Sequence, residues 1–297
     1  MPDGILLLDK PLGVSSNAAL QRVRTLLGRV KAGHVGSLDP LATGMLPICI
    51  GEATKIAGEL AAARKRYRFH IGLGTRTASA DAEGEVIGHA PVPRLEAAAV
   101  EAALARLRGH QQQLPPMYSA LKRQGQPLYR LARAGVTVER TPRPIEVSEL
   151  RLIALAAASL ELEALCSKGT YIRVLAEDIA AGLGTLGHVT QLRRLYVEPF
   201  GQQPMQTLDS LAAQRARGEW PELLAPDAAL AALPAVHLAA EQARRLILGQ
   251  GVISEPPAAA GRVRLYDETG AFLGIGVSEP SGAVRPRRLL RSARSAG

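Results

Sequence analysis

Apolar and polar residues alternate along several short segments of this chain, and this alternation predicts strands. In residues 67–73 every second residue is apolar, which is the period of a strand with one buried face. Residues 145–166 alternate in the same way in two stretches, so we expect two strands of an antiparallel sheet there. Residues 5–9 form a short apolar run that is typical of a buried strand.

Other segments carry apolar residues at helical spacing. In residues 20–27 these positions fall on one helical face, Ser15, Ser16 or Asn17 can cap the start, and Gly28 follows the end. We also expect a helix that ends near Gly182. Further helices are predicted for residues 52–63, 93–109, 208–216 and 239–248.

Residues 33–55 fit neither pattern. Glycine and proline recur there, at Gly33, Gly36, Pro40, Gly44 and Pro47. Both residue types are unfavourable inside helices and strands, so we predict a long loop. This loop presents one carboxylate, Asp39, among apolar neighbours, which suits a catalytic acid. A plain glycine- and proline-rich connector is the alternative.

The net charge of the chain indicates which class of partner it binds. The 297 residues carry a formal net charge of +9, and a basic protein of this kind favours a polyanionic partner such as nucleic acid, although a merely soluble basic protein is the alternative. We find no apolar run of membrane-spanning length and no secretory signal pattern, so we expect a cytoplasmic protein without a membrane contact. Cys49 and Cys166 are predicted to be free buried thiols in a reducing compartment.

Basic residues concentrate between Ser119 and Arg143, where Glu139 is the only acid. Tyr129 and two glycines stand among these charges, a composition that suits a mobile element gripping an RNA backbone. A solvated surface segment is the alternative. The basic residues are Lys122, Arg123, Arg130, Arg133, Arg140 and Arg143.

A separate module is predicted beyond Leu233 and Pro234. It comprises the helix at 239–248 and a hairpin formed by residues 263–266 and 272–277. The chain then ends in a basic tail that suits phosphate binding, or that frays in solution. Its arginines are Arg285, Arg287, Arg288, Arg291 and Arg294.

Three motifs resemble those of one family. Residues 33–55 closely resemble the signature of the TruB family of tRNA pseudouridine synthases, Gly-His-x-Gly-x-Leu-Asp-Pro-Leu-Ala-Thr-Gly followed by Gly-Glu-Ala-Thr-Lys. Residues 115–122 resemble its Pro-Pro-x-Tyr-Ser-Ala-x-Lys motif, and residues 167–173 are identical to its Ser-Lys-Gly-Thr-Tyr-Ile-Arg motif. The resemblance is specific from about Asp9 to Leu195 and weaker beyond.

This resemblance implies a fold and an activity. We expect an α+β fold whose mixed, largely antiparallel sheet is flanked by helices, with a catalytic domain at 1–230, an RNA-binding thumb inserted at about 119–143, and a small β-rich PUA-type RNA-binding domain at 231–297. The expected reaction converts the uridine at position 55 of the tRNA T-loop to pseudouridine after base flipping. No cofactor or metal is expected. The expected partner is the tRNA T-arm, no protein partner is implied, and a monomer is the default.

The resemblance also assigns site residues. Asp39 would be the catalytic carboxylate, attacking C1′ or removing a sugar proton to give a glycal, and both routes stay open. Arg173 would pair with Asp39 and keep it ionised. Tyr67 would stack on the target base and can accept the C5 proton, while Tyr171 and Leu192 would line the pocket.

The resemblance also assigns roles to His34 and Lys10. His34 would fill the space that the flipped base vacates, and Lys10 would lie near the site or support the loop from below. A glycosidase needs a second carboxylate, and the nearest acid in sequence is Glu52, predicted to lie on a helix. The other rival is a tRNA-binding and folding chaperone that acts without catalysis.

Overall fold

The computed structural model describes residues 3–123, 125–254 and 259–290. The strands are β1 (Gly4–Lys10), β2 (Ala32–His34), β3 (Ala42–Ile50), β4 (Lys65–Leu73), β5 (Thr75–Thr77), β6 (Val86–His89), β7 (Gly109–Gln113), β8 (Lys122–Arg123), β9 (Gln126–Pro127), β10 (Arg143–Ala156), β11 (Ser159–Cys166), β12 (Gly187–Val197), β13 (Ala235–His237), β14 (Val252–Ile253), β15 (Gly261–Tyr266), β16 (Phe272–Ser278) and β17 (Ala283–Leu289).

The α-helices are α1 (Ser16–Leu26), α2 (Ala57–Ala62), α3 (Ala97–Ala105), α4 (Leu128–Arg133), α5 (Ile172–Gly182), α6 (Leu208–Ala216) and α7 (Ala240–Ile247), and 3-10 helices cover Gly51–Ile56 and Pro226–Leu230. Of the three residues predicted as possible caps, Ser15 caps α1, its side chain accepting from the Ala18 N–H. The helix predicted at 93–109 is observed only over Ala97–Ala105, so it begins later and ends earlier than predicted. Pro91 and Pro93 favour extended backbone before it, and Gly109 belongs to the following strand.

The main sheet has eight strands in the order β1-β3-β12-β4-β11-β10-β7, with β2 pairing on β3. All of its pairings are antiparallel except that of β3 with β12. Helices α1 and α6 cover one part of the sheet with an apolar cluster that includes Leu20 and Leu211. Helices α3 and α5 cover another part, with Leu104 and Leu175. The predicted α+β fold with a mixed, largely antiparallel sheet is therefore confirmed.

The predicted loop at 33–55 is wrong over most of its length, because β3 occupies its second half. Gly44 has φ +97°, and a Cβ there would lie 2.1 Å from the Arg194 carbonyl oxygen, so glycine lets β3 and β12 approach. Pro47 lies between the part of β3 that pairs with β12 and the part that pairs with β2. The Pro47 carbonyl accepts a hydrogen bond from the Val35 N–H at 2.9 Å on the edge of β3 that faces β2 and β12. The N–H that proline lacks would point to the same edge, in the gap between these two strands, so no hydrogen bond of the sheet is lost. Only residues 35–41 form the loop.

A second sheet of five strands, ordered β13-β15-β16-β17-β14, forms the β-rich C-terminal region together with α7. It contacts the main body through a hydrogen bond from Lys55 Nζ to the Leu289 carbonyl (2.8 Å) and an ion pair of Arg262 with Glu59. Arg291 and Arg294 of the predicted basic tail lie outside the described residues. No helix in the described ranges is long and apolar enough to cross a membrane.

Candidate active site

A cavity of about 340 Å³ opens beside the loop at 35–41. Strands β4 and β12 form its floor, the start of α5 forms one wall, and the first residues of the thumb segment (residues 119–143) form another. Of the residues predicted for the site, Asp39, Tyr67, Tyr171, Arg173 and Leu192 all line this cavity. Segments far apart in the sequence thus meet here.

Asp39 extends from the loop toward Arg173, whose Nε lies 2.9 Å from Asp39 Oδ2. The Asp39 side chain is 41% exposed, so one side of the carboxylate is open to a ligand, whereas the Arg173 side chain is 3% exposed. Burial of its other side raises the pKa of Asp39. The Arg173 guanidinium opposes this shift, the Asp81 carboxylate adds to it, and the Lys10 ammonium again opposes it.

Arg173 is held in place by groups from three segments. Besides Asp39, its guanidinium donates to the Ser79 carbonyl (2.7 Å) and to the Tyr118 carbonyl (2.7 Å). Tyr118 directly precedes the thumb segment. The arginine is therefore immobilised by the loop, by the turn after β5 and by the base of the thumb.

A second carboxylate lies beside this pair. Asp81 Oδ2 is 3.7 Å from Arg173 Nε, and Asp81 is 4% exposed. Ser79 Oγ (2.5 Å) and the Glu83 N–H (3.1 Å) donate to its other oxygen. Glu52 is the acid nearest to Asp39 in the sequence, but Asp81 is the acid that lies beside the Asp39–Arg173 pair in the structure. The approach of Asp81 to Arg173 depends on tertiary packing, which a local sequence pattern does not specify.

The two tyrosines line the cavity from different elements and are held in place differently. Tyr67 belongs to β4 and is 9% exposed; burial raises its pKa, and the Arg194 guanidinium opposes that shift. Tyr171 precedes α5, and its backbone N–H and carbonyl pair with the Gln113 side chain at 2.8 and 3.1 Å. Burial also raises the pKa of Tyr171. Leu192, 7% exposed, adds an apolar surface.

Lys10 and His34 do not line the cavity. Lys10 is fully buried, and its Nζ donates to the carbonyls of Pro11, Val14 and Pro40 at 2.9, 2.6 and 3.4 Å. These contacts place it under the loop, and burial lowers its pKa to about 8. The half-buried His34 directly precedes the same loop, and burial and then Arg194 lower its pKa. Its buried Nδ1 has no hydrogen-bond partner among the described residues.

Two buried cations in the cavity were missed by the sequence analysis. Arg194 is 1% exposed and Lys65 is 5% exposed, and both line the floor. A signal existed: residues two apart in a strand share a face, so Leu192 predicts the direction of Arg194 and Tyr67 that of Lys65. Their burial could not be predicted without knowing which strands flank them.

The thumb segment presents its basic side chains mainly to solvent. A short β8–β9 hairpin leads into α4, and the Tyr129 N–H donates to the Ser119 carbonyl at 3.0 Å. Arg140 instead donates to the Pro115 carbonyl at 3.0 Å and so holds the base of the segment. The Lys122 side chain lies outside the described part of the structure. Exposed arginines that form no ion pair among the described residues are Arg123, Arg130, Arg133 and Arg143.

A larger cavity of about 950 Å³ lies elsewhere, between α1, α6 and the turn after β1. Arg193 and Asp9 form a bidentate ion pair in its wall, at 2.9 and 2.7 Å. Asp39 is not part of it. Lys10, a fully buried cation, lines this larger cavity, so neither size nor buried charge alone selects between the two. The open carboxylate of Asp39 beside Arg173 is the reason to place the candidate site in the smaller cavity.

Family profiles cover most of the chain. Residues 24–172 match the profile described as TruB family pseudouridylate synthase (N terminal domain). Residues 173–232 match that of the tRNA pseudouridylate synthase B C-terminal domain, and residues 234–290 match Pseudouridine synthase II TruB, C-terminal.

Individual proteins agree with these profiles. The chain is 50% identical to tRNA pseudouridine synthase B of Chromohalobacter salexigens over 98% of this chain and 95% of that protein. Identity to the protein of the same name from Pasteurella multocida is 47%, over 97% of this chain and 95% of that protein. A chain in the structure of an H/ACA RNP bound to a substrate RNA containing 2′-deoxyuridine has a similar fold, with a TM-score of 0.72 at 19% identity over 97% of this chain and 84% of that chain.

The resemblance found in the three motifs is confirmed by these matches. The TruB N-terminal profile spans half of the chain, and the two bacterial relatives are about half identical to it over nearly its whole length. The chain is therefore an enzyme that belongs to the TruB family of pseudouridine synthases.

Proposed function

We propose that this enzyme converts the uridine at position 55 of the tRNA T-loop to pseudouridine, with Asp39 as the catalytic carboxylate. The tRNA substrate is supported by the names of the bacterial relatives. The observation that carries the role of Asp39 is its pairing with the buried Arg173 at a cavity that leaves one side of the carboxylate open.

The reaction breaks the N1–C1′ bond of uridine and forms a C5–C1′ bond. The C5 proton is lost, N1 gains a proton, and no atom is exchanged with another substrate. An ionised Asp39 can attack C1′ or take a proton from the sugar, and both routes need the exposed carboxylate oxygen. Because burial raises the pKa of Asp39, its ionisation depends on Arg173 and, more weakly, on Lys10.

The floor and walls of the cavity supply the other roles. Tyr67 stacks on the extruded uracil and can accept the C5 proton, and its position in a central strand fixes the stacking plane. Tyr171 and Leu192 line the pocket around the base. His34 fills the space that the base leaves in the RNA, and its place at the start of the Asp39 loop supports this role.

Two outer elements hold the tRNA. The arginines of the thumb segment bind the backbone of the T-arm, supported by their exposure and by their lack of ion pairs among the described residues. The C-terminal region from residue 231, with its own sheet, acts as a second RNA-binding domain of the PUA type. The free, buried cysteines fit a cytoplasmic enzyme.

Tritium release from C5-labelled uridine in a T-arm transcript tests the proposal. We expect release by the native chain, none by Asp39→Asn, and none from a transcript with cytidine at position 55. Asp209→Asn, which changes an exposed aspartate of α6, is the matched control and should keep full activity. A native chain that binds the transcript without releasing tritium would instead support the chaperone function.

A further inference from the structure

Two cations are buried in the catalytic cavity without an acidic partner. Arg194 and Lys65 line the same cavity as Asp39, and neither forms an ion pair with a carboxylate among residues 3–123, 125–254 and 259–290. A buried charge without a counter-charge is costly, so such groups are rarely placed for packing alone. A ligand that brings negative charge into the cavity would explain them.

Neighbouring strands bring these cations to one point. Arg194 of β12 lies opposite Tyr67 of β4 in the antiparallel register, and Lys65 precedes Tyr67 by two residues on the same face of β4. A Cβ built on Gly36 would lie 3.2 Å from Arg194 Nη1 and 3.8 Å from Lys65 Cε. Both side chains therefore reach the space beside Gly36, and this glycine leaves that space open.

Backbone carbonyls fix both cationic groups without neutralising them. Arg194 donates to the Met45 carbonyl (2.6 Å) and the Gly36 carbonyl (2.8 Å). Lys65 donates to the Ala61 and Ala63 carbonyls at 2.8 and 2.5 Å. The positive charge is thus held in a fixed direction before any ligand arrives, which is the arrangement that stabilises charge developing during a reaction.

We propose that Arg194, assisted by Lys65, stabilises the negative charge on the uracil ring while it is detached from the ribose. This inference rests on the proposed function. When the N1–C1′ bond breaks, its electron pair stays on uracil and spreads over N1, O2 and O4, whichever role Asp39 takes at the sugar. When C5 joins C1′, the C5 proton leaves to a base, N1 takes up a proton, and the charge disappears.

The charge distribution of the cavity fits this sequence of events. Asp39, Asp81 and Arg173 together carry one net negative charge on the side where the sugar must lie. Arg194 and Lys65 carry two positive charges on the floor beside Tyr67. An anionic uracil stacked on Tyr67 would lie next to these cations. A backbone phosphate of the flipped nucleotide is the other anion that could approach them.

The test compares Arg194→Gln, Arg194→Lys and Lys65→Met in single-turnover tritium release, with the dissociation constant for the transcript measured in parallel. We expect Arg194→Gln to lower the saturated rate by about 100- to 1000-fold, the usual cost of one preorganised donor, with transcript affinity unchanged within twofold. The saturated rate of Arg194→Lys should be at least tenfold higher than that of Arg194→Gln, because lysine restores the charge. Lys65→Met should lower the rate by about tenfold or more.

Arg193→Gln is the matched control, because Arg193 pairs with Asp9 and faces away from the cavity of Asp39. A variant that weakens transcript binding tenfold while keeping the saturated rate would overturn the inference in favour of a phosphate. An unchanged rate would overturn it outright. If Arg194→Gln unfolds at the assay temperature, the same criteria applied to Lys65→Met decide. Failure of the native chain to release tritium would refute the proposed function itself. Failure of the inference about Arg194 and Lys65 would instead leave the activity of the native chain intact.

Discussion

Replacing Gly44 with alanine tests how the centre of the main sheet is joined. Gly44 has φ +97°, a conformation that costs an L-residue about 1–2 kcal/mol. The added Cβ would also lie 2.1 Å from the Arg194 carbonyl oxygen and 2.9 Å from its carbon. These are backbone atoms that cannot rotate away, so β3 and β12 must separate. Overpacking of this kind costs about 1–3 kcal/mol.

The two contributions together predict a loss of about 2–5 kcal/mol in the free energy of unfolding. For a protein of 297 residues, that corresponds to a melting temperature lower by about 3–8 °C. The same displacement moves the Arg194 side chain, so activity should fall even below the melting transition. Thermal unfolding followed by circular dichroism, with tritium release measured at 20 °C or below, reports both effects.

Two further glycines separate these contributions. Gly28 has φ +78° with no atom within 4 Å of a built Cβ, so Gly28→Ala should show the conformational cost alone. Gly58 lies in α2 with open space around it and no positive φ, so Gly58→Ala should be neutral or stabilising by up to about 1 kcal/mol. A Gly44→Ala variant as stable as Gly28→Ala would refute the argument from close strand approach.

The other predictions concern charge. Burial lowers the pKa of Lys10 from 10.5 to about 8, so the unfolded chain binds more protons between pH 8 and 10.5, and the free energy of unfolding should rise through this window by up to about 3 kcal/mol. Burial also lowers the pKa of Lys65 to about 8, so Lys10→Met should show a smaller rise in urea unfolding across that range and not a flat profile. An identical pH dependence in both proteins would contradict the assignment. In the thumb segment, Arg130→Ser with Arg133→Ser should weaken transcript binding and flatten the dependence of log Kd on log salt by about one per lost phosphate contact. Arg217→Ser removes a surface arginine paired with Glu219 and is the control; an unchanged slope in the double variant would exclude a backbone contact.

Local patterns predicted the elements that depend on near neighbours. The cap at Ser15 and the alternation in β4 both depend on residues a few positions apart. The family motifs also brought Asp39 and Arg173 together correctly, at 2.9 Å. Such features could be predicted because periodicity or a known motif specifies them completely.

Features that depend on which strands become neighbours could not be predicted. Gly44 and Pro47 look like loop residues until β12 and β2 are known to flank β3 on one side. Arg194 and Lys65 look like surface cations until the cavity forms over them. Asp81 is likewise an ordinary turn residue until Arg173 reaches it. Each depends on contacts between residues far apart in the chain.

The strand order of the main sheet has a consequence for synthesis on the ribosome. Strand β12 inserts between β3 and β4, although it begins at residue 187 and β4 ends at residue 73. At about 5–20 residues per second, the nascent chain waits on the order of ten seconds for its central strand. During that time β3 and β4 each expose an edge that can pair with another chain. Nascent chains stalled before residue 187 should therefore depend on chaperones, whereas chains released after residue 197 should not, which ribosome-bound intermediates of defined length can measure.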